Sequence, residues 1–284
     1  MDGQPRADLH ARTTRSDGTL TPTELVETAV AAHLAAVAIT DHDTTAGIRE
    51  AQAAASSLSL EVIPGIEISS RTGNREIHLL GLFIDPDAEA LMNVGKRQRA
   101  WRLERAEVIV QRAIAQGLNI SIDEVLETAD GAPIGRPHLA QVLVNNGEVL
   151  AMQDAFDRYL GIGRTCHVPK RMLSTAEAIE AVHIAGGVSV VAHPGSSRVR
   201  EKLLTALRDE GLDGVEVVHP RHRSGRRHQL RGLCKRLGLL PSGGSDYHGP
   251  GRGDAVLGVP GIPMDWCEGL RQRAGTHQTA KGVS

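Results

Sequence analysis

The 284 residues are 40% hydrophobic and 23% charged, an ordinary globular balance with ample material for a core, which excludes a disordered or fibrous chain. A formal charge of −2 gives no global attraction to nucleic acid or anionic membrane, so any polyanion must be drawn by a local patch. Aromatic residues make up only 2%, so the core must rest on Val, Ile, Leu and Ala.

In chain order, Thr21-Pro22-Thr23-Glu24 is a capping box with proline at the first helical position, and predicts a helix with Leu25, Val26, Ala29 and Val30 on its apolar face. Val37–Thr40 reads as a short buried strand running into Asp41-His42-Asp43, side chains that can bind metal or move protons. A helix over 46–58 leads to a strand at Val62-Ile63, and Glu76–Phe83 reads as the next strand. Asp85-Pro86-Asp87 breaks the pattern. From about 91 to 160 helical periodicity replaces strands, with a charged amphipathic helix over 96–116 and a second capping box at Ser121-Ile122-Asp123-Glu124. Its arginine-rich face reads as a solvated surface. A third box, Ser174-Thr175-Ala176-Glu177, opens a helix that stops at Gly186-Gly187. Strands return at 189–192, 214–218 and 239–242, with a helix near 229–237. The expected organisation is a discontinuous α/β domain over 7–91 and 171–264, a helical insertion over 92–170, and a C-terminal helix and tail over 265–284. Alternating strands and helices predict a parallel barrel.

The chemistry sits at strand ends. Besides His42, apolar runs or tight turns lead to His10, Glu67, His78, His193, His219, Asp246 and His248. Such ends are where α/β folds place their sites. Cys166, Cys234 and Cys267 form no C-x-x-C pair, so a disulfide framework or thiolate zinc site is not expected and a reducing compartment fits. Imidazole and carboxylate donors instead suit Zn²⁺, Mn²⁺ or Fe²⁺. The N-terminal residues lack the apolar core of a signal peptide, and no apolar run nears the ~18 residues of a membrane helix; the expectation is a cytoplasmic protein. The basic run Arg221–His228 reads equally as a solvated surface or as a phosphate-attracting rim.

The ordered motifs D-L-H, S-D-G-T-L-T-P, T-D-H-D-T, P-G-I-E-I-S, H-L-L-G, G-R-P-H, A-H-P, G-V-E-V-x-H-P and G-S-D-Y-H-G-P span about residues 7–260. Together they resemble the PHP (polymerase and histidinol phosphatase) superfamily. The closer likeness is to its branch of nucleoside 3′,5′-bisphosphate and AMP phosphatases and short-RNA 5′→3′ exonucleases. The resemblance implies a distorted (β/α)7 barrel with a helical insertion and a trinuclear metal site. It assigns His10, Glu67 and Asp246 to one ion, Glu67, His78 and His193 to a second, and Asp17, His42 and His248 to a third. It also implies a phosphoric ester hydrolase in which metal-bound hydroxide attacks the phosphorus of a nucleotide or short oligoribonucleotide. Arg136, His138 and Lys170 are expected to contact phosphate, and His219 to protonate the leaving oxygen. No membrane and no stable protein partner are expected.

The pattern is broken at one position. Where the family reads D-L-H-x-H, this chain reads Asp8-Leu9-His10-Ala11-Arg12. Arginine stays protonated and offers no lone pair, so it cannot ligate a metal. The expectation is therefore two well-occupied divalent ions and a weak or vacant first position, with the guanidinium in or beside it. The alternative is an outward Arg12 with water completing three sites. Two other functions follow: a binding or regulatory module that has lost catalysis, favoured by Arg12, and a histidinol-phosphate phosphatase, disfavoured by the S-D-G and G-S-D-Y-H-G-P forms.

Overall fold

The computed structural model describes residues 6–195 and 201–281. It forms two compact units, one built from the chain up to Gly95 and from Leu173 onward, the other from Lys96–Met172. The first unit holds β1 (Arg6–Ala11), β2 (Ala36–Ile39), β3 (Glu61–Thr72), β4 (Arg75–Leu82), β5 (Leu173–Ser174), β6 (Val188–Val191), β7 (Gly214–Val218), β8 (Leu240–Gly243) and β9 (Ile262–Pro263). They join one sheet in the order β8-β7-β6-β4-β3-β2-β1-β9, with β5 on β3. A parallel bridge from Ala11 to Tyr247, beyond the end of β8, brings the two sides of the sheet together as a nearly closed barrel. β2, β6 and β7 are buried along their whole length, as strands covered on both faces must be.

The strands are not all parallel. β4 runs antiparallel to both β3 and β6, pairing Ser69 with His78 and Leu79 with Val191. The purely parallel barrel expected from β–α alternation is corrected at this strand, because β3 and β4 are joined by a two-residue turn at Gly73 and Asn74, too short for a crossover. The reversal is functional: it puts His78, near the start of β4, at the same end of the barrel as the C-termini of its neighbours.

The helices are α1 (Pro22–Ala31), α2 (Ile48–Ala55), α3 (Glu89–Ala115), α4 (Ile122–Ala129), α5 (Arg136–Asn145), α6 (Met152–Ala155), α7 (Thr175–Ile184), α8 (Glu201–Asp209), α9 (Ser224–Leu237) and α10 (Met264–Lys281). All three capping boxes form: Thr21, Ser121 and Ser174 accept from the amides of Glu24, Glu124 and Glu177, whose carboxylates accept in return. α3 begins seven residues before the predicted helix and α9 five before, while α8 was not read from the sequence at all. The second unit has its own core, including Ile109, Val110, Val125, Leu139, Leu143 and Cys166. All three cysteines are free and buried. Among the described residues no helix is long and apolar enough to cross a membrane.

Buried Asp213 clamps the barrel away from the strand-end cluster. Oδ2 accepts from Ser189 N at 3.0 Å and lies 2.7 Å from His183 Nε2 on α7. Oδ1 lies 3.2 Å from Arg273 Nη1 and 3.1 Å from His277 Nε2, both on α10. Burial pushes its carboxyl up, but the His183 and Ser189 hydrogen bonds outweigh this and pull it to about 2. The stabilisation is therefore complete above the ordinary carboxylate range and is lost as pH falls toward 2. Asp213→Ala, which leaves the buried Ser189 amide without its partner, is expected to cost about 1–3 kcal/mol at neutral pH in urea unfolding. A midpoint unchanged from the parent would show the clamp to be idle.

Candidate metal centre

Short backbone links hold the strand ends in register. Arg12 N donates to Tyr247 O at 2.9 Å, Glu67 N to Asp41 O at 3.1 Å, and Ala192 N to His78 O at 2.9 Å. At Gly244 a Cβ would sit 2.5 Å from the Cβ of His10, so only glycine lets the end of β8 approach β1 this closely.

Around fully buried Glu67 the imidazoles converge. Oε1 lies 3.0 Å from His78 Nδ1 and 3.1 Å from His193 Nε2; Oε2 lies 3.3 Å from His42 Nε2 and 3.7 Å from His10 Nε2. The donor atoms of His42, Glu67 and His78 all lie within 4.8 Å of one another. Asp246 Oδ1 is 3.2 Å from His10 Nε2 and 3.8 Å from His248 Nδ1, and His248 Nε2 is 3.5 Å from Asp17 Oδ2. The structure thus brings together His10, Asp17, His42, Glu67, His78, His193, Asp246 and His248. Two of these residues have left-handed backbones, His193 at φ +31° and Asp246 at φ +52°. Such strain, on the order of 1–3 kcal/mol per residue, persists where the surroundings fix a side chain for a task.

The electrostatics fit a cation. Burial, reinforced by charge on His10 and His78, lowers His193 to about 3, so its imidazole is neutral with a lone pair to give. Asp17 is drawn to about 2: burial opposes this, but the His248 hydrogen bond and the Arg12 charge prevail. Asp246 is held well below the usual carboxylate range, burial again being outweighed, here by the charge of His10 and the hydrogen bond from His219. Glu67 Oε2 and Asp246 Oδ1 are buried and accept no hydrogen bond. Carboxylate oxygens in that state need positive charge, and an imidazole–carboxylate set is what Zn²⁺, Mn²⁺ or Fe²⁺ would bind. At the His10 and Asp246 side that charge is already present. Arg12 is 1% exposed, pairs with Glu67 Oε2, and lies 3.6 Å from Asp246 Oδ1.

His219 adjoins the cluster. Its Nδ1 accepts from the Arg221 amide at 3.1 Å, which leaves the proton of the neutral ring on Nε2, 3.5 Å from Asp246 Oδ2. A cavity of about 750 Å³ opens beside it, lined by His219, Arg221, Asp246, His248, Arg252 and Asp254. Arg136, His138 and Lys170 belong to the helical unit. There Arg136 Nη1 donates to Leu160 O at 3.0 Å and its guanidinium stacks over Phe156, while His138 Nδ1 accepts from the Gly135 amide at 3.2 Å.

Sequence reading missed the residues that hold the cluster in place. Glu216, fully buried in β7, accepts from His10 Nδ1 at 2.9 Å and from the His193 amide. Its signal was available: a carboxylate inside the apolar run Val215–Val218 has no bland explanation. Asp41, between Thr40 and His42, turns away to accept from Thr13 N, Thr13 Oγ1 and Ser16 Oγ, fixing the loop that carries Asp17. Asp43 takes the Ser69 amide at 2.9 Å. Asp8 accepts from Ser245 N and Gly258 N, tying β1 to the loops that follow β8. Of the Asp41–Asp43 trio, His42 turns its imidazole toward the Glu67 carboxylate.

The PHP domain model matches residues 8–162. The chain is 37% identical over 249 residues to the 5′-3′ exoribonuclease Rnm of Escherichia coli (strain K12), covering 86% of this chain and 85% of that protein. It is 36% identical over 256 residues to the 3′,5′-nucleoside bisphosphate phosphatase of Chromobacterium violaceum, covering 88% and 90%. A solved structure from Bifidobacterium adolescentis, described as a metal-dependent phosphoesterase, superposes with a TM-score of 0.81 at 36% identity, covering 96% of this chain and 97% of the other. With the donor cluster at the strand ends, these likenesses settle the family: the chain belongs to the PHP domain family and is one of its metal-dependent phosphoric ester hydrolases.

Proposed function

We propose that this enzyme hydrolyses phosphate monoesters of nucleotides, such as nucleoside 3′,5′-bisphosphates or AMP, or of short oligoribonucleotides. The observation that carries this reading is the convergence of imidazoles and carboxylates on Glu67, beside a cavity lined by Arg221 and Arg252. Similarity both to a bisphosphate phosphatase and to exoribonucleases supports the nucleotide class. Divalent ions, when bound, supply Lewis-acid charge to the phosphoryl oxygens and activate water. Glu67, His78 and His193 would hold one ion, and Asp17, His42 and His248 another. His219 is the proposed donor of a proton to the leaving oxygen, a role that the protonated imidazole would fill. Arg221 and Arg252 offer forks that suit phosphate, and Arg136, His138 and Lys170 are further proposed phosphate-contacting residues. A cytoplasmic setting, with nucleotide or short RNA as the partner, completes the reading. The retained donor set favours the enzyme over a module that only binds.

Chelation followed by dialysis should abolish phosphate release, and adding back Mn²⁺ or Zn²⁺ should restore it. The reconstituted enzyme should be screened on nucleoside 3′,5′-bisphosphates, AMP, 5′-phosphorylated short RNA and histidinol phosphate. Release from a nucleotide or RNA is expected. Full activity in chelator, or turnover of histidinol phosphate alone, would overturn the reading.

A further inference from the structure

We propose that the Arg12 guanidinium stands in for one ion of the centre, so that this chain holds one cation fewer than its donors outline. The inference rests on the metal-dependent reading above and concerns which positions fill.

Its first support is where the side chain goes. Arginine is among the residues least often fully buried, yet Arg12 is 1% exposed. Nη1 donates to the Thr40 carbonyl at 2.7 Å. Nη2 faces Glu67 Oε2, sits 3.6 Å from Asp246 Oδ1 and lies 3.2 Å from His10 Nε2. One nitrogen thus meets the three groups that would share an ion on that side.

The second support is that this conformer is held. The Arg12 amide is bonded to Tyr247 O at 2.9 Å. The loop to Gly18 folds so tightly over it that a Cβ at Gly18 would stand 2.8 Å from the Arg12 carbonyl carbon. An outward rotamer would give up the Thr40 bond and take the guanidinium's charge away from Glu67 Oε2 and Asp246 Oδ1, both buried and without hydrogen-bond donors. An ion and a guanidinium cannot share the position, because arginine offers no lone pair and like charges repel at contact distance.

The substitution changes how the charge is held. A metal leaves with chelator or acid; a guanidinium stays charged at every working pH. Glu67 and Asp246 are therefore neutralised on this side before any ion arrives, and the remaining ions bind at Glu67, His78 and His193 and at Asp17, His42 and His248.

Metal content tests this directly. Protein stripped by chelator and reconstituted with Mn²⁺ or Zn²⁺ should carry about two ions per chain. Arg12→His, which supplies an imidazole where the guanidinium stood, should raise the count by about one. Arg12→Ala should melt below the parent in chelator, and the gap should shrink on adding Mn²⁺, because an ion can then enter the vacated position. Anomalous diffraction of the unaltered protein should show no ion at His10 and Asp246. If Arg12→His does not fold, that map and the parent's own count decide alone. Three full ions in the unaltered protein with Arg12 turned outward, or an unchanged count in folded Arg12→His, would overturn the inference and leave the phosphoesterase intact. A parent that binds no ion would overturn both.

Discussion

Glu67→Gln is expected to lower kcat by about 10³-fold or more, the largest effect of any single substitution in the centre. The amide keeps the volume of the side chain and removes its charge, at the one residue whose two oxygens face His78 and His193 on one side and His42 and His10 on the other. The same change strips Arg12 of its closest carboxylate. A buried guanidinium left without its partner costs about 3–5 kcal/mol, so the variant should also unfold at lower urea. The two effects separate cleanly. Metal content and kcat are measured where circular dichroism shows the variant folded, and the loss of rate should persist there with fewer ions bound. A folded Glu67→Gln that retains its metal and loses less than about tenfold would show that Glu67 does not hold a catalytic ion.

His219→Ala is expected to cost about 10²–10⁴-fold in kcat on nucleotide substrates. The ring receives the Arg221 amide on Nδ1 and so presents Nε2–H toward Asp246 and the adjoining cavity. An aryl phosphate such as p-nitrophenyl phosphate departs without help from a proton, and on it the same variant should lose less than about tenfold. Metal content should be unchanged. Equal losses on both substrates would assign His219 to holding Asp246 in place and take the proton-donor role away from it.

Why the residues that converge on Glu67 were legible in the sequence is a matter of range. His10, His42 and His193 lie at the ends of short apolar runs, and the rule that buried strands deliver polar residues at their ends is local, needing only a few consecutive residues. Helix starts at Thr21, Ser121 and Ser174 are local in the same sense: the capping side chain and its carboxylate are three residues apart, and all three formed as read. The starts of α3 and α9 were placed late because neither opens on such a box, so only periodicity marked them. The division of labour within Asp41-His42-Asp43 was beyond sequence, since it depends on where Thr13 and Ser69 lie, far along the chain.

The sequence by itself determined the imidazoles and carboxylates available to a site, the α/β alternation, the helical run and the arginine at position 12, because each is written in residue identity or short spacing. Tertiary structure decided what those residues face. The backward run of β4 brings His78 to the site through pairing with both β3 and β6, and no pattern within β4 specifies its direction. Glu216 supports His10 and His193 only because β7 passes beside both. Arg12 could equally have reached solvent. It turns inward because Thr40, Glu67 and Asp246, drawn from three other parts of the chain, leave two buried carboxylates and a carbonyl for which the guanidinium is the complementary charge and donor.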